Sequence, residues 1–258
     1  MLRTREQATF SFANGAANDR APPLVENSLG MKLLPCLLSV IAGCVDTISF
    51  LALGRLFAAH VTGNLVILAS YVAAGGEAPV ADMLAVPVFV VALGLTRLAA
   101  SGLERINVAS LGILLFLQFL LLLGALALCV AAGPHLDPSG SLGIAAGMLG
   151  VSAMAVQNAL VQIALREAPS TAVMTTNITR FVMDLGDVLL GRNPESVAKS
   201  RIRAMRTWPA IVGFAAGCAI GAVCVHAVGL WSLALPTGLA LLAVAIVVLN
   251  KADAGWPR

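Results

Sequence analysis

An all-α integral membrane fold is predicted from three observations: a scarcity of charge, six long apolar stretches, and cations gathered on one side of those stretches. Of the 258 residues, 59% are hydrophobic and 11% charged, whereas a soluble globular domain carries about 25% charged residues. A water-facing surface needs charge and a lipid-facing one excludes it, so a mean hydropathy of +0.92 points to the bilayer. The net charge of +3 is too small to imply a nucleic-acid partner.

A helix needs about 20 apolar residues to cross a hydrocarbon core of about 30 Å. Stretches of that length run over 33–53, 79–100, 108–132, 140–165, 208–228 and 229–249. Two others are doubtful. Residues 61–74 reach only about 21 Å as a helix, and residues 171–190 carry Asn177, Arg180, Asp184 and Asp187. Loop charge decides between six and eight crossings. With six, and the N-terminus inside, 15 of the 16 Lys and Arg residues fall on the inner side and Arg55 alone lies outside. With eight, Arg97, Arg105, Arg166 and Arg180 move outside and the division becomes 11 to 5. Cytoplasmic loops carry the excess of Lys and Arg, so six spans are expected, with both termini cytoplasmic in a bacterial inner membrane. Glu77, Asp82 and Asp137 are assigned to outer loops. Residues 1–30 are polar and lack the early apolar core of a secretory signal. They read as a disordered cytoplasmic tail, followed by one transmembrane domain over 31–250 and a short tail over 251–258.

The chain repeats itself. Val61-Thr62-Gly63-Asn64-Leu65 recurs as Met174-Thr175-Thr176-Asn177-Ile178, 113 residues later, and Asp46 corresponds to Asn158 across a one-residue gap. Each half, about 33–132 and 140–249, then reads long helix, short polar segment, long helix, long helix. Three spans per half is odd, so the second half is expected to insert upside down, the inverted-repeat layout of many transporters. The short segments either re-enter the bilayer from opposite faces or lie at its surface as amphipathic helices. If they re-enter, Thr62, Asn64, Thr175 and Asn177 suit the capping of exposed helix N–H groups, and a polar or anionic solute can take any that remain.

Asp46 is the sharpest single candidate. It lies about thirteen residues into the first span, where a carboxylate costs about 2.5–3.5 kcal/mol to insert, and such acids face a cavity or a partner. It reads as a proton or cation site, or as a structural acceptor that ties its helix to the Thr62–Asn64 segment. Ser49 and His60 are secondary candidates beside it. Gln157 and Asn158 stand at the matching place in the fourth span, where amides usually bridge helices. Arg180, Asp184 and Asp187 fall at helical spacing opposite Ile178, Val182, Leu185 and Leu189, which predicts a solvated polar face with an Arg180–Asp184 ion pair. Gly213, Gly217 and Gly221 form a ridge that permits close helix approach, within the bundle or in a homo-oligomer, and Gly143 with Gly147 repeats the spacing. Pro87 and Pro236 are expected to kink their spans.

The five cysteines lie in apolar stretches without paired spacing, and the three histidines have no ligand set around them. No metal, cofactor or disulfide is therefore expected. The spans hold no nucleophile with an adjacent base, so an enzyme is not expected either.

The stretch Ala42-Gly43-Cys44-Val45-Asp46 through Phe50-Leu51-Ala52-Leu53-Gly54, with Leu56-Phe57, His60 and Thr62-Gly63-Asn64, resembles the YoaK-like family of bacterial membrane proteins. Gln157-Asn158-Ala159 with Thr175-Thr176-Asn177 and Thr179-Arg180 is similar to that family's second characteristic region. The resemblance covers roughly residues 30–250 and implies a multi-spanning inner-membrane protein; it carries over no site residues. Thr176 stands where the second motif often has glycine. The residues themselves point to a small-solute transporter or channel built around the paired short segments. The alternative is a non-transporting accessory or assembly subunit.

Overall fold

Leu29–Ala52 forms α1, an apolar helix whose buried residues include Leu34, Leu38, Ile41, Val45 and Ile48. The structure is a computed structural model and describes residues 29–253. The expected tail over 1–30 therefore lies outside the described residues except for positions 29 and 30, which already belong to α1. The tail over 251–258 is described only as far as Asp253. After α1 come α2 (Val61–Ala73), α3 (Val80–Arg105), α4 (Ser110–Ala132), α5 (Ser141–Ala164), α6 (Met174–Leu190), α7 (Pro194–Val228), a short 3₁₀ turn (Gly229–Leu233) and α8 (Ala234–Asp253). No strand occurs among the described residues.

Five stretches are long and apolar enough to cross a membrane: α1, α3, α4, α5 and a run from Pro194 to Asn250. That last run, 57 residues, would reach about 85 Å as one rod. It turns back instead at Gly229, whose φ of +58° is open to glycine at little cost. The helices on either side account for two passes, which brings the total to the expected six. Pro236 consequently falls in the first turn of α8 rather than mid-span. Proline is tolerated there, so the kink expected at this position has no cause. The helix that carries the fifth span begins earlier than its apolar run: residues 194–206 form the first part of α7, started by Asn193, whose side chain accepts from Glu195 N at 3.0 Å, and by Pro194 at the first helical position.

Helix directions follow from the contacts. Gly213, Gly217 and Gly221 of α7 meet the carbonyls of Cys36, Val40 and Cys44 in ascending order, so α1 and α7 run parallel. The glycine ridge is thus occupied within the chain by α1 and is not the free face that an oligomer would need. Gly30 lies beside Ile246 and Asn250, and Gly112 beside Val247. The starts of α1 and α4 therefore share one end of the bundle with the finish of α8. Cys44, Ile48, Leu53, Cys129 and Leu233 cluster at the other end. Hence α1, α4 and α7 run one way. α5 returns, from Gly147 against Leu56 to Ile163 beside Met31, and so does α8. α3 is joined to the start of α4 by residues 106–109 alone and also returns. Eight crossings would have set α4 against α1, and the packing excludes that.

The short helices leave by the end at which they enter. α2 begins beside Asp46 and finishes next to the start of α3; α6 begins near Gln157 and finishes at the start of α7. Helix pairings interchange when the two halves are swapped. α1 packs on α7 and α5 on α3; α4 packs on α5 and α8 on α1; α2 packs on α3 and α6 on α7.

Candidate functional site

Asp46 is buried, 5% exposed, and fully used. One carboxylate oxygen accepts from the backbone N–H groups of Ala59 (2.7 Å) and His60 (3.2 Å). The other pairs with His60 Nδ1 at 2.7 Å. Six residues separate Asp46 from the end of α1, so the segment after α1 dips about 9 Å back along the helix to reach it. Desolvation of a carboxylate is offset by such N–H donors and by an imidazole able to carry the countercharge. Asn64 fixes the same segment from α2: its Oδ1 accepts from Phe57 N at 2.9 Å and its Nδ2 donates to Phe57 O at 2.8 Å. His60 meets the ring of Phe214 edge-on, with centroids 5.2 Å apart. Asp46, His60, Phe57, Phe214 and Cys218 border a cavity of about 360 Å³ at the far end of the α1–α7 seam.

The second half repeats the device with different chemistry. Gln157 Nε2 donates to Leu38 O and to Thr171 Oγ1, both at 2.9 Å, and its Oε1 accepts from Gln118 Nε2 at 2.7 Å. Asn177 Nδ2 donates to Ser170 O at 2.6 Å. Asn64 and Asn177 thus each hold a carbonyl seven residues earlier. Leu38 and Asp46 are eight residues apart, so the two anchors lie about 12 Å apart along α1.

Several expectations are corrected. None of Thr62, Asn64, Thr175 and Asn177 caps a helix: the N-cap residues are His60 and Val173, neither with a side-chain cap. The four lie inside the first turns, past the position from which a side chain reaches the free N–H groups. Thr62 and Thr175 are exposed, and the asparagines turn back to the preceding loop. Asn158 bonds only Met154 O of its own helix, so Gln157, not Asn158, plays the part that Asp46 plays in the first half. Ser49 is buried on α1, apart from these bonds.

The Arg180–Asp184 pair does not form. Asp184, 6% exposed, binds Arg203 of α7 through Nε (2.9 Å) and Nη2 (2.6 Å), and Asp187 accepts from Ser200 at 3.0 Å. The polar stripe faces α7 and the apolar side faces outward, the reverse of the solvated face expected from spacing. Asp82 is not in a loop but in the first turn of α3, 2% exposed, with neither carboxylate oxygen hydrogen-bonded.

Gln118 had a sequence signal, being the one amide in the apolar run of α4. Thr171 and Arg203 had none, because their partners lie 14 and 19 residues away.

At the other end of the α1–α7 seam is a larger cavity of about 810 Å³, bordered by Lys32, Cys36, Arg166, Glu167, Arg206 and Ala210. Arg206 pairs with Glu167 at 2.9 Å. Lys32 and Arg166 are left in excess there. Between the cavities α1 and α7 touch backbone to backbone. A Cβ on Gly217 would stand 2.3 Å from Val40 O, and one on Gly43 would stand 2.3 Å from Phe214 O.

Residues 34–247 match the family model described as a protein of unknown function, DUF1275. The chain belongs to that family. It is the family whose YoaK-like motifs the sequence resembles, and the match runs from within α1 to within α8, with both anchored loops inside it. No curated protein and no solved structure matches the chain.

Proposed function

We propose that this DUF1275 protein is a small-solute transporter in which the α1–α7 seam is the barrier. The observation that carries the reading is the pair of cavities along the same seam, with Val40 and Gly43 of α1 in backbone contact with α7 between the cavity-lining residues Cys36 and Asp46. On α7 their lining residues Ala210 and Phe214 are four positions apart, about 6 Å of helix. A barrier this thin, in which the two backbones meet at glycines, opens or closes with a small tilt of either helix.

The symmetry of the pairings supports the same reading. Swapping halves exchanges the contacts while α1 and α5 run oppositely, as an inverted repeat requires. On this view α2 and α6 are re-entrant half-helices, and their anchors at Asp46 and Gln157 straddle the mid-plane. The basic end faces the cytoplasm of a bacterial inner membrane, and excess cation around the larger cavity favours a small anionic solute. Asp46 and His60, bordering the smaller cavity, are the groups able to carry a proton with it.

The experiment is solute uptake into proteoliposomes, with a panel of small carboxylates and inorganic anions compared with cationic and neutral solutes. Asp46→Asn retains an oxygen to accept from Ala59 and His60 but loses the charge. Uptake of at least one anion is expected, reduced by about tenfold or more in Asp46→Asn, with the protein still folded. Uptake unchanged by Asp46→Asn removes Asp46 from the mechanism. No uptake of any solute, with a second membrane protein co-purifying, favours an accessory subunit.

A further inference from the structure

Between α6, α7 and the loop after α5 lies a further cavity, of about 600 Å³, that the transport reading does not use. Arg166 borders it from the loop, Arg180 from α6, and Arg203 and Arg206 from α7. Three acids, Glu167, Asp184 and Asp187, share the lining. Hydrogen bonds decide which of these charges cancel. Asp184 is committed to Arg203, which holds it through Nε and Nη2, and Asp187 accepts from Ser200. The acid four residues from Arg180 is thus turned to another helix. Arg180 keeps all of its N–H donors free among the described residues. Arg166 uses only Nε, on Ile163 O at 3.3 Å, so both of its terminal nitrogens remain. Arg206 gives Nη1 alone to Glu167, whose side chain is 86% exposed, and a pair so open to water holds weakly.

The cleft therefore presents guanidinium donors from the loop, from α6 and from α7, with four arginines against three acids. A single guanidinium fork satisfies both oxygens of a monocarboxylate. A tetrahedral oxyanion has further oxygens for the remaining forks, which is the geometry that arginine recognises in phosphate. The cleft lies on the α7 side of α6, away from the outward face that carries Val182, Leu189 and Leu190. It shares Arg166, Glu167 and Arg206 with the larger cavity on the α1–α7 seam. A dissolved anion at that cavity reaches these arginines without crossing the apolar face of α6.

We infer that this cleft binds a free tetrahedral oxyanion, inorganic phosphate or a small phosphomonoester, with Arg166 and Arg180 as its principal donors. Binding here does not depend on transport. The test is equilibrium dialysis of radiolabelled inorganic phosphate against the full chain in phosphatidylcholine nanodiscs, at constant ionic strength because salt screens exposed charges. Saturable binding is expected, displaced by sulfate and by glycerol phosphate but not by acetate. R166Q and R180Q should each weaken it about tenfold and together abolish it, while SDS-induced unfolding in the absence of phosphate stays as in the wild type. Four results overturn the inference: no saturable phosphate binding; an affinity unchanged in R166Q/R180Q; displacement by acetate as readily as by sulfate, which reduces the cleft to general charge screening; or loss of phosphate binding when phosphatidylglycerol is added to the nanodisc, which assigns the arginines to a lipid phosphate. Saturable binding without uptake of any solute would count for the site and against transport.

Discussion

Gly217→Ala tests the central contact of the molecule. The new Cβ would stand 2.3 Å from Val40 O and 3.0 Å from Val40 Cα, both backbone atoms. No rotamer can relieve this, so α1 and α7 must separate by about 1 Å to restore van der Waals contact. A gap of that size forfeits a quarter to a half of each affected dispersion contact, and overpacking of this kind costs about 1–3 kcal/mol. It also stretches the 3.2 Å bond from Cys44 Sγ to Gly217 O. Against this, alanine improves helix propensity by about 1 kcal/mol. The expected net loss is about 1 kcal/mol, read as the shift in SDS-induced unfolding of the detergent-solubilised protein. Gly43→Ala strikes the α7 backbone at 2.3 Å from the opposite side, and one separation of the helices relieves both clashes. The double variant should therefore lose clearly less than the sum of the singles. Gly94→Ala, whose Cβ meets nothing within 4 Å, should be neutral or slightly stabilising. Wild-type stability in Gly217→Ala, or strict additivity with Gly43→Ala, would refute the close backbone contact.

Three further outcomes are expected. Gln157→Leu leaves Thr171 and Gln118 without their shared partner and should cost about 2–3 kcal/mol in the same unfolding assay; adding Gln118→Leu should restore part of it, and a purely additive further loss would show that the network is not coupled. Asp82→Leu removes a buried carboxylate without a hydrogen-bond partner, and should raise stability by about 1 kcal/mol. A marked loss of stability instead would mean that Asp82 has a polar partner in the folded protein. In a cysteine-replaced chain, Glu77→Cys should react with an impermeant maleimide on intact cells and Arg192→Cys only after permeabilisation; the opposite labelling inverts the proposed topology.

What was legible in the sequence had a local or averaged physical cause. Lipid excludes charge over whole segments, so composition and the placement of Lys and Arg predicted six passes, and the contacts among α1, α4, α7 and α8 agree. Asp46 stood out because a carboxylate inside an apolar helix is costly wherever the helix packs. Features that depend on what lies opposite were read less well. Spacing paired Asp184 with Arg180, four residues away, but the preferred donor was Arg203 on the next helix, with two guanidinium hydrogen bonds. The same change of partner turned the polar face of α6 inward. Asp82 was assigned to a loop because charge belongs in water, yet the start of α3 carries it under neighbouring helices. Asn158 was chosen over Gln157 by alignment, but Gln157 is on the face of α5 that meets Leu38 and Thr171, one residue round the helix from Asn158.

The sequence by itself determined that the chain is helical, bilayer-embedded, six times crossing and marked at Asp46, since each follows from the solvation of single residues or segments. The tertiary structure decided that the short segments are tied to the bundle by Asp46 and Gln157, that the glycine ridge joins α7 to α1, and that a cavity lies at each end of that seam. These depend on distances between residues far apart in the chain, which no local solvation preference specifies.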